Sequence, residues 1–144
     1  MKIYFSANHR YLERDLALYR EIIGVIQREG HVLVNNWVET ANNRWPQEMQ
    51  YYDWASVCIA ARGGIDDADV LLAEASGETG FGVGFETAYA LSKGKKIGIL
   101  IRKTEMDNSY TSGLDRKEIY VCGYERTVLA DVLRETLVLL ETRL

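Results

Sequence analysis

The chain has 144 residues, 47% of them hydrophobic and 26% charged, with a formal net charge of −4. That length predicts a single domain spanning 1–144 with a real core, and the negative balance argues against a general nucleic-acid surface. No apolar run is long enough for a membrane span, and a strand pattern follows Lys2 at once, so no signal peptide is expected.

Strand and helix patterns alternate along the chain. Ile3–Ala7 reads as a first strand, and Leu12–Glu29 as a helix with apolar residues at 16, 19, 22, 23 and 26, ended by Gly30. Val32–Val34 reads as the second strand and Asn35–Asn43 as a polar loop. Pro46 stands where a first helical turn tolerates it, opening a helix over Gln47–Ala61 that Gly63–Gly64 interrupts. Val70–Ala75 is the third predicted strand, Glu86–Lys93 a helix closed by Gly94, and Lys96–Ile101 the fourth strand. Ile119–Val121 is the fifth strand and Thr127–Thr142 the closing helix, while Lys103–Lys117 reads as a mobile loop at the pocket edge. This alternation predicts an α/β, flavodoxin-like (Rossmann-like), doubly wound parallel sheet of five strands in the order 2-1-3-4-5. Its pocket should lie at the switch point between strands 1 and 3. Cys58 and Cys122 match no metal spacing and read as reduced core thiols of a cytoplasmic protein.

The most informative segment is the apolar strand ending at Ala75 and the glycine-rich turn that follows it, Gly77 to Glu86. In a parallel sheet this turn lies at the carboxyl edge, where glycines let backbone N–H groups approach an anion at a helix N-terminus. Glu86, placed in the first helical turn, then aims a carboxylate at the pocket, and the helix dipole keeps it ionised. Two readings stand: a nucleophile, or a carboxylate that merely stabilises the dipole. The glycines fit neither a dinucleotide fingerprint nor a P-loop.

Three further segments reach the same edge. Ser6–Ala7–Asn8–His9–Arg10 follows the first strand and precedes a helix, a position that supplies donors for phosphate. Arg10 is either a phosphate ligand or a solvated surface arginine, and His9 either lines the pocket or sits exposed. Asn35, Asn36 and Trp37 follow the second strand; an amide pair reads a base edge and an indole stacks on its face, unless the segment is simply a polar turn. Tyr51, Trp54 and Cys58 share a helix face that reads more readily as core or subunit interface than as a substrate box.

The run Gly82–Val83–Gly84–Phe85–Glu86, the Ala68–Asp69-plus-apolar strand before it and the opening Lys2–Ile3–Tyr4–Phe5–Ser6–Ala7 resemble the nucleoside 2-deoxyribosyltransferase superfamily. The resemblance spans nearly the whole chain and is nearest to the 2′-deoxynucleoside 5′-phosphate N-hydrolase branch. It implies that Glu86 attacks the sugar C1′ and displaces the base. It further implies that Tyr4 and the Asn35–Trp37 segment, with Asn36 and Trp37, surround the base, that the Ser6–Arg10 loop (Ser6, Asn8 and Arg10), Gly82 and Gly84 hold the phosphate or 5′ end, and that Thr79 binds substrate. Asn108 would reach a neighbouring subunit's pocket, in a homodimer or higher oligomer. The partner is a small nucleoside or nucleoside monophosphate, and no metal or organic cofactor is needed.

The pattern breaks at two places. The family aspartate eight residues ahead of Asp69 is Ala61 here, and the serine before the Gly82–Gly84 run is Gly80, with Thr79 the nearest hydroxyl. Asp53, Asp66 or Asp67 substitutes only if the fold brings one into the cleft, and Asp69 is expected to anchor the third strand. The sequence therefore points to an N-glycosidase or deoxyribosyltransferase, with a non-catalytic nucleotide-binding module as the rival.

Overall fold

The computed structural model describes residues 1–42, 53–78, 80–108, 114 and 117–142. Five parallel strands, β1 (Lys2–Ala7), β2 (Val32–Leu33), β3 (Val70–Glu74), β4 (Lys96–Arg102) and β5 (Ile119–Tyr124), form one sheet in the order β2-β1-β3-β4-β5. The helices are α1 (Leu12–Arg28), α2 (Trp37–Asn42), α3 (Trp54–Asp67), α4 (Phe81–Ser92) and α5 (Leu129–Thr142). The expected fold class and strand order are both present.

Strand periodicity divides the core. Ile3 and Phe5 of β1, with Val70 and Leu72 of β3, face α1 and α5. Tyr4, Leu71 and Ala73 point the other way, toward α3 and α4. Successive strand residues face opposite sides, so the two faces of β1 carry different duties: one apolar, the other bearing Tyr4 and Ser6. Complete burial of each large aliphatic or aromatic side chain contributes about 1.5–3 kcal/mol. The β1–β3 pairing is locked at its start, where the Lys2 N–H donates to Asp69 Oδ2 at 2.7 Å and the Asp69 N–H to the Lys2 carbonyl at 2.8 Å. Asp69 thus anchors the beginning of both strands.

Several local expectations are corrected. The segment after β2 is not all loop: α2 forms because Val38 is fully buried and Trp37 and Ala41 pack against the same core. The predicted start of a helix at Pro46–Gln47 lies outside the described residues. α3 begins after Asp53, whose carboxylate accepts from the Ala55 and Ser56 N–H groups, a side-chain N-cap. It then runs through Gly63 and Gly64 instead of stopping there. Gly64 is needed for contact: a Cβ there would lie 3.0 Å from Cδ2 and Cε2 of Tyr4. α4 starts at Phe81, five residues before Glu86, so Gly82 and Gly84 are helical. β5 extends to Tyr124, and α5 begins at Leu129 after a 3₁₀ turn at Arg126–Val128. The segment after β4 opens with a 3₁₀ turn at Lys103–Asn108 where an irregular loop was expected. Cys58 is exposed and Cys122 half-buried, because α3 turns Cys58 toward a cleft and not into the core.

At Gly98, in the middle of β4, sheet and helix approach closely. A Cβ there would meet Leu140 Cδ1 and Leu72 Cδ1 at 3.0 Å each and Thr136 Cγ2 at 3.3 Å. Gly98→Val should therefore cost about 1–3 kcal/mol through overpacking, read as a lower midpoint in urea unfolding.

Candidate active site

At the carboxyl ends of β1 and β3 lies a cleft of about 760 Å³, walled by the loop after β1, by Asn35 and Trp37, by α3 and by the start of α4. Glu86 sits in its wall, on the second turn of α4. Two hydroxyls of β1 hold its carboxylate. The Tyr4 phenol donates to Oε1 at 3.0 Å and the Ser6 hydroxyl to Oε2 at 2.5 Å. Tyr4 and Ser6 are two residues apart on one strand, so both side chains emerge on the α4 side, and both are buried.

The electrostatics differ from the sequence expectation. Because α4 starts at Phe81, Glu86 lies past the first turn, where the dipole is strongest. Burial pushes its carboxyl above the ordinary glutamate value, and the hydrogen bonds from Ser6 and Tyr4 only partly offset this. The Tyr4 phenol is pushed upward as well, first by burial and then by the Glu86 charge. It stays protonated and remains a donor.

The N-terminus of α4 opens into the cleft at Gly80–Gly82, and its first N–H groups have no intrahelical acceptor. Arg10 and His9 also line the cleft. The His9 ring lies 5.3 Å from Trp54, and its pKa is lowered by burial and by the Arg10 charge. Gly77, at φ 77°, turns the chain before α4, and its N–H donates to Glu105 at 2.5 Å. Such a φ is disfavoured for any residue with a Cβ.

The other expected residues are distributed as follows. Asn8 has both ends of its amide engaged: Nδ2 donates to the Glu78 carbonyl at 2.7 Å, and Oδ1 accepts from the Arg10 N–H at 3.1 Å. It clamps the first loop to the turn before α4. Ser6 is committed to Glu86. Trp37 borders the cleft while its Nε1–H donates to the Phe5 carbonyl at 2.8 Å. Asn36 is exposed, and Asn35 is the amide that faces the cleft. Gly82 borders the cleft and Gly84 does not. Thr79, Tyr51 and the side chain of Asn108 lie outside the described residues.

Ala61 forms part of the cleft floor. None of the three carboxylates considered as substitutes borders the cleft: Asp53 caps α3, Asp66 binds Tyr89 and Lys93, and Asp67 is exposed. Among the described residues the cleft carboxylates are Glu86 and Glu78, and no group of three or more His, Cys, Asp or Glu is placed to hold a metal. No helix among them is long and apolar enough to cross a membrane. Sequence reasoning passed over Glu74, a carboxylate buried at the end of β3. It accepts from the Tyr124 hydroxyl at 2.9 Å and the Ser76 N–H at 3.2 Å, and burial raises its pKa. A glutamate closing a run of apolar strand residues was the available signal.

The raised Glu86 pKa carries a stability consequence. The folded state disfavours the ionised form, so the penalty is absent below the ordinary glutamate range. It grows as pH rises from there through the higher folded value. Glu86→Gln removes that penalty. Its Tm relative to the parent should rise between pH 4 and pH 7.5, and a falling difference would mean that the two hydroxyls outweigh desolvation.

No family model matches the chain, and no curated protein matches it in sequence. Among solved structures it is similar to the CMP N-glycosidase BcmB of Clostridium botulinum, with a TM-score of 0.64 over 96% of this chain and 99% of that one, at 14% identity. At that level of identity the likeness establishes a shared fold.

Proposed function

We propose that this chain is an N-glycosidase of the nucleoside 2-deoxyribosyltransferase-like superfamily, acting on a nucleoside or nucleoside 5′-monophosphate with Glu86 as nucleophile. The observation that carries the reading is the Glu86 carboxylate, half-buried in the wall of an open cleft with each oxygen held by a hydroxyl of β1. The structural likeness to a CMP N-glycosidase supports it.

In this reading a carboxylate oxygen bonds to C1′, and the electron pair of the C–N bond departs with the base, which takes a proton from solvent. Water then adds at C1′ of the glycosyl ester, freeing the sugar and returning Glu86 as a carboxylate. Desolvation raises the reactivity of the carboxylate, while Tyr4 and Ser6 fix its direction. Arg10 and the N-terminus of α4 hold the phosphate, and Asn35, Trp37 and Trp54 flank the base. Cys58 and Cys122 remain thiols, consistent with a cytoplasmic setting.

Free-base release from a panel of nucleosides and 5′-monophosphates, followed by chromatography, tests the assignment. The parent should release base from at least one member, and Glu86→Gln should lower the rate by about three orders of magnitude or more. The rate should also fall in acid on a limb set above the ordinary carboxylate range, since only the ionised group attacks. Retention of most of the rate by Glu86→Gln overturns the nucleophile. Binding without base release by the parent favours the nucleotide-binding module, and base exchange exceeding hydrolysis favours a transferase.

We also infer a two-fold homodimer, in which the loop containing Asn108 closes a partner's cleft. Adjacent helices α3 and α4 expose Ile59 (66%) and Phe81 (90%), and the Phe81, Phe85 and Tyr89 rings stack along α4. Apolar groups clustered in this way mark an interaction surface. Light scattering should give twice the chain mass of 16.4 kDa, reduced to one chain by Ile59→Glu. A monomeric parent at micromolar concentration overturns the dimer.

A further inference from the structure

A second cavity, of about 470 Å³, opens on the α1 side of the same sheet edge, beyond the ends of β4 and β5. Its wall carries four cationic side chains, Arg14, Arg102, Lys103 and Arg126, against two carboxylates, Asp15 and Glu125. The catalytic cleft is opposite in balance, with Arg10 facing Glu78 and Glu86. Two carboxylates outside the wall also pair with these cations, Glu21 with Arg126 and Glu105 with Arg102 at 3.6 Å, so what the cavity offers an anion is spare guanidinium donors and not net charge.

The cations are held in place. Asp15, itself buried, bridges two guanidiniums: Arg14 at 2.5 Å and Arg102 at 3.2 Å. Arg126 is fixed by Glu21 at 2.7 Å and Lys103 by Glu125 at 3.4 Å. One carboxylate cannot saturate the donors of two guanidiniums, since each carries five N–H groups. Side chains already ordered by ion pairs lose little further freedom when an anion arrives. The remainder of the wall is Thr104 and an apolar part formed by Ala17, Leu18 and the Tyr124 ring, whose hydroxyl is turned inward to Glu74.

We propose that this cavity is a second binding site, for a small organic phosphomonoester. The phosphate would bridge Arg14, Arg102 and Arg126, and the organic part would lie on Leu18 and Tyr124. Planar guanidiniums pair with phosphate oxygens in bidentate fashion, and the apolar wall favours a ligand with a carbon skeleton over the bare ion. The site is independent of the chemistry at Glu86 and stands whether or not that residue is a nucleophile.

The test is an amide-resolved NMR titration of the full chain with ribose 5-phosphate and, separately, with inorganic phosphate. In the parent, ribose 5-phosphate should shift the amides of Ala17, Leu18, Lys103 and Thr104, and should bind more tightly than inorganic phosphate. Arg10→Ala, which alters only the cleft, should leave these shifts and their midpoint unchanged. The double variant Arg14→Ala/Arg126→Ala should weaken them by about tenfold or more. Both side chains are about half exposed, and if the pair does not fold, Lys103→Glu makes the same test from a more exposed position. Shifts confined to the loop after β1 and the start of α4 overturn the proposal. So does a double variant that titrates like the parent, or inorganic phosphate binding as tightly as the sugar phosphate.

Discussion

The arrangement of the cleft depends on a half-buried carboxylate held by one strand. Glu86 projects from α4 toward β1, where an isolated charge would cost several kcal/mol to desolvate. Hydrogen bonds to a charged group return about 1.5–3 kcal/mol each, and Tyr4 and Ser6 supply one to each oxygen. The balance still leaves the carboxyl above its ordinary pKa. The remaining cost falls on the ionised form and not on the neutral acid. The β1–β3 register, secured at Lys2 and Asp69, therefore bears on the geometry of the cleft as well as on stability, because it fixes where the two hydroxyls stand.

The same sheet edge buries a second carboxylate, and the two are treated differently. Glu74 is enclosed by Tyr124 and the Ser76 backbone on the α1 side, with Arg102 and Asp15 nearby. Glu86 faces the open cleft on the other side. A parallel sheet gathers polar groups at its carboxyl edge, where the strands end and the loops turn. Here one carboxylate braces Tyr124 in the wall of the arginine-lined cavity and the other lies in the wall of the open cleft.

Much of the fold was legible because strands and helices differ in period. The alternation that puts Ile3 and Phe5 on one face and Tyr4 and Ser6 on the other is visible in the residues themselves, as is the topology that follows from alternating segments. What was misread turns on glycine. Gly63–Gly64 and the Gly82–Gly84 run look like helix breaks by propensity, yet both pairs lie inside helices. A cost of about 1 kcal/mol per glycine is small beside the packing of a whole helix. Misplacing the start of α4 also misassigned the electrostatics of Glu86, because one helical turn separates a terminal dipole from a desolvated interior. Asn8 shows another limit: that both ends of its amide are consumed by Glu78 and Arg10 depends on contacts up to 70 residues distant, which no local pattern encodes.

Gly64 extends this logic to distance. It touches neither Glu86 nor the cleft surface, yet its missing side chain is what lets the Tyr4 ring lie against α3. A single methyl group there would displace an aromatic ring, and through it the hydroxyl that steers one carboxylate oxygen. The chain is thus constrained at a position with no polar atom to offer beyond its backbone. The orientation of the Glu86 carboxylate is set by an absence of atoms, one layer behind the groups that do the holding.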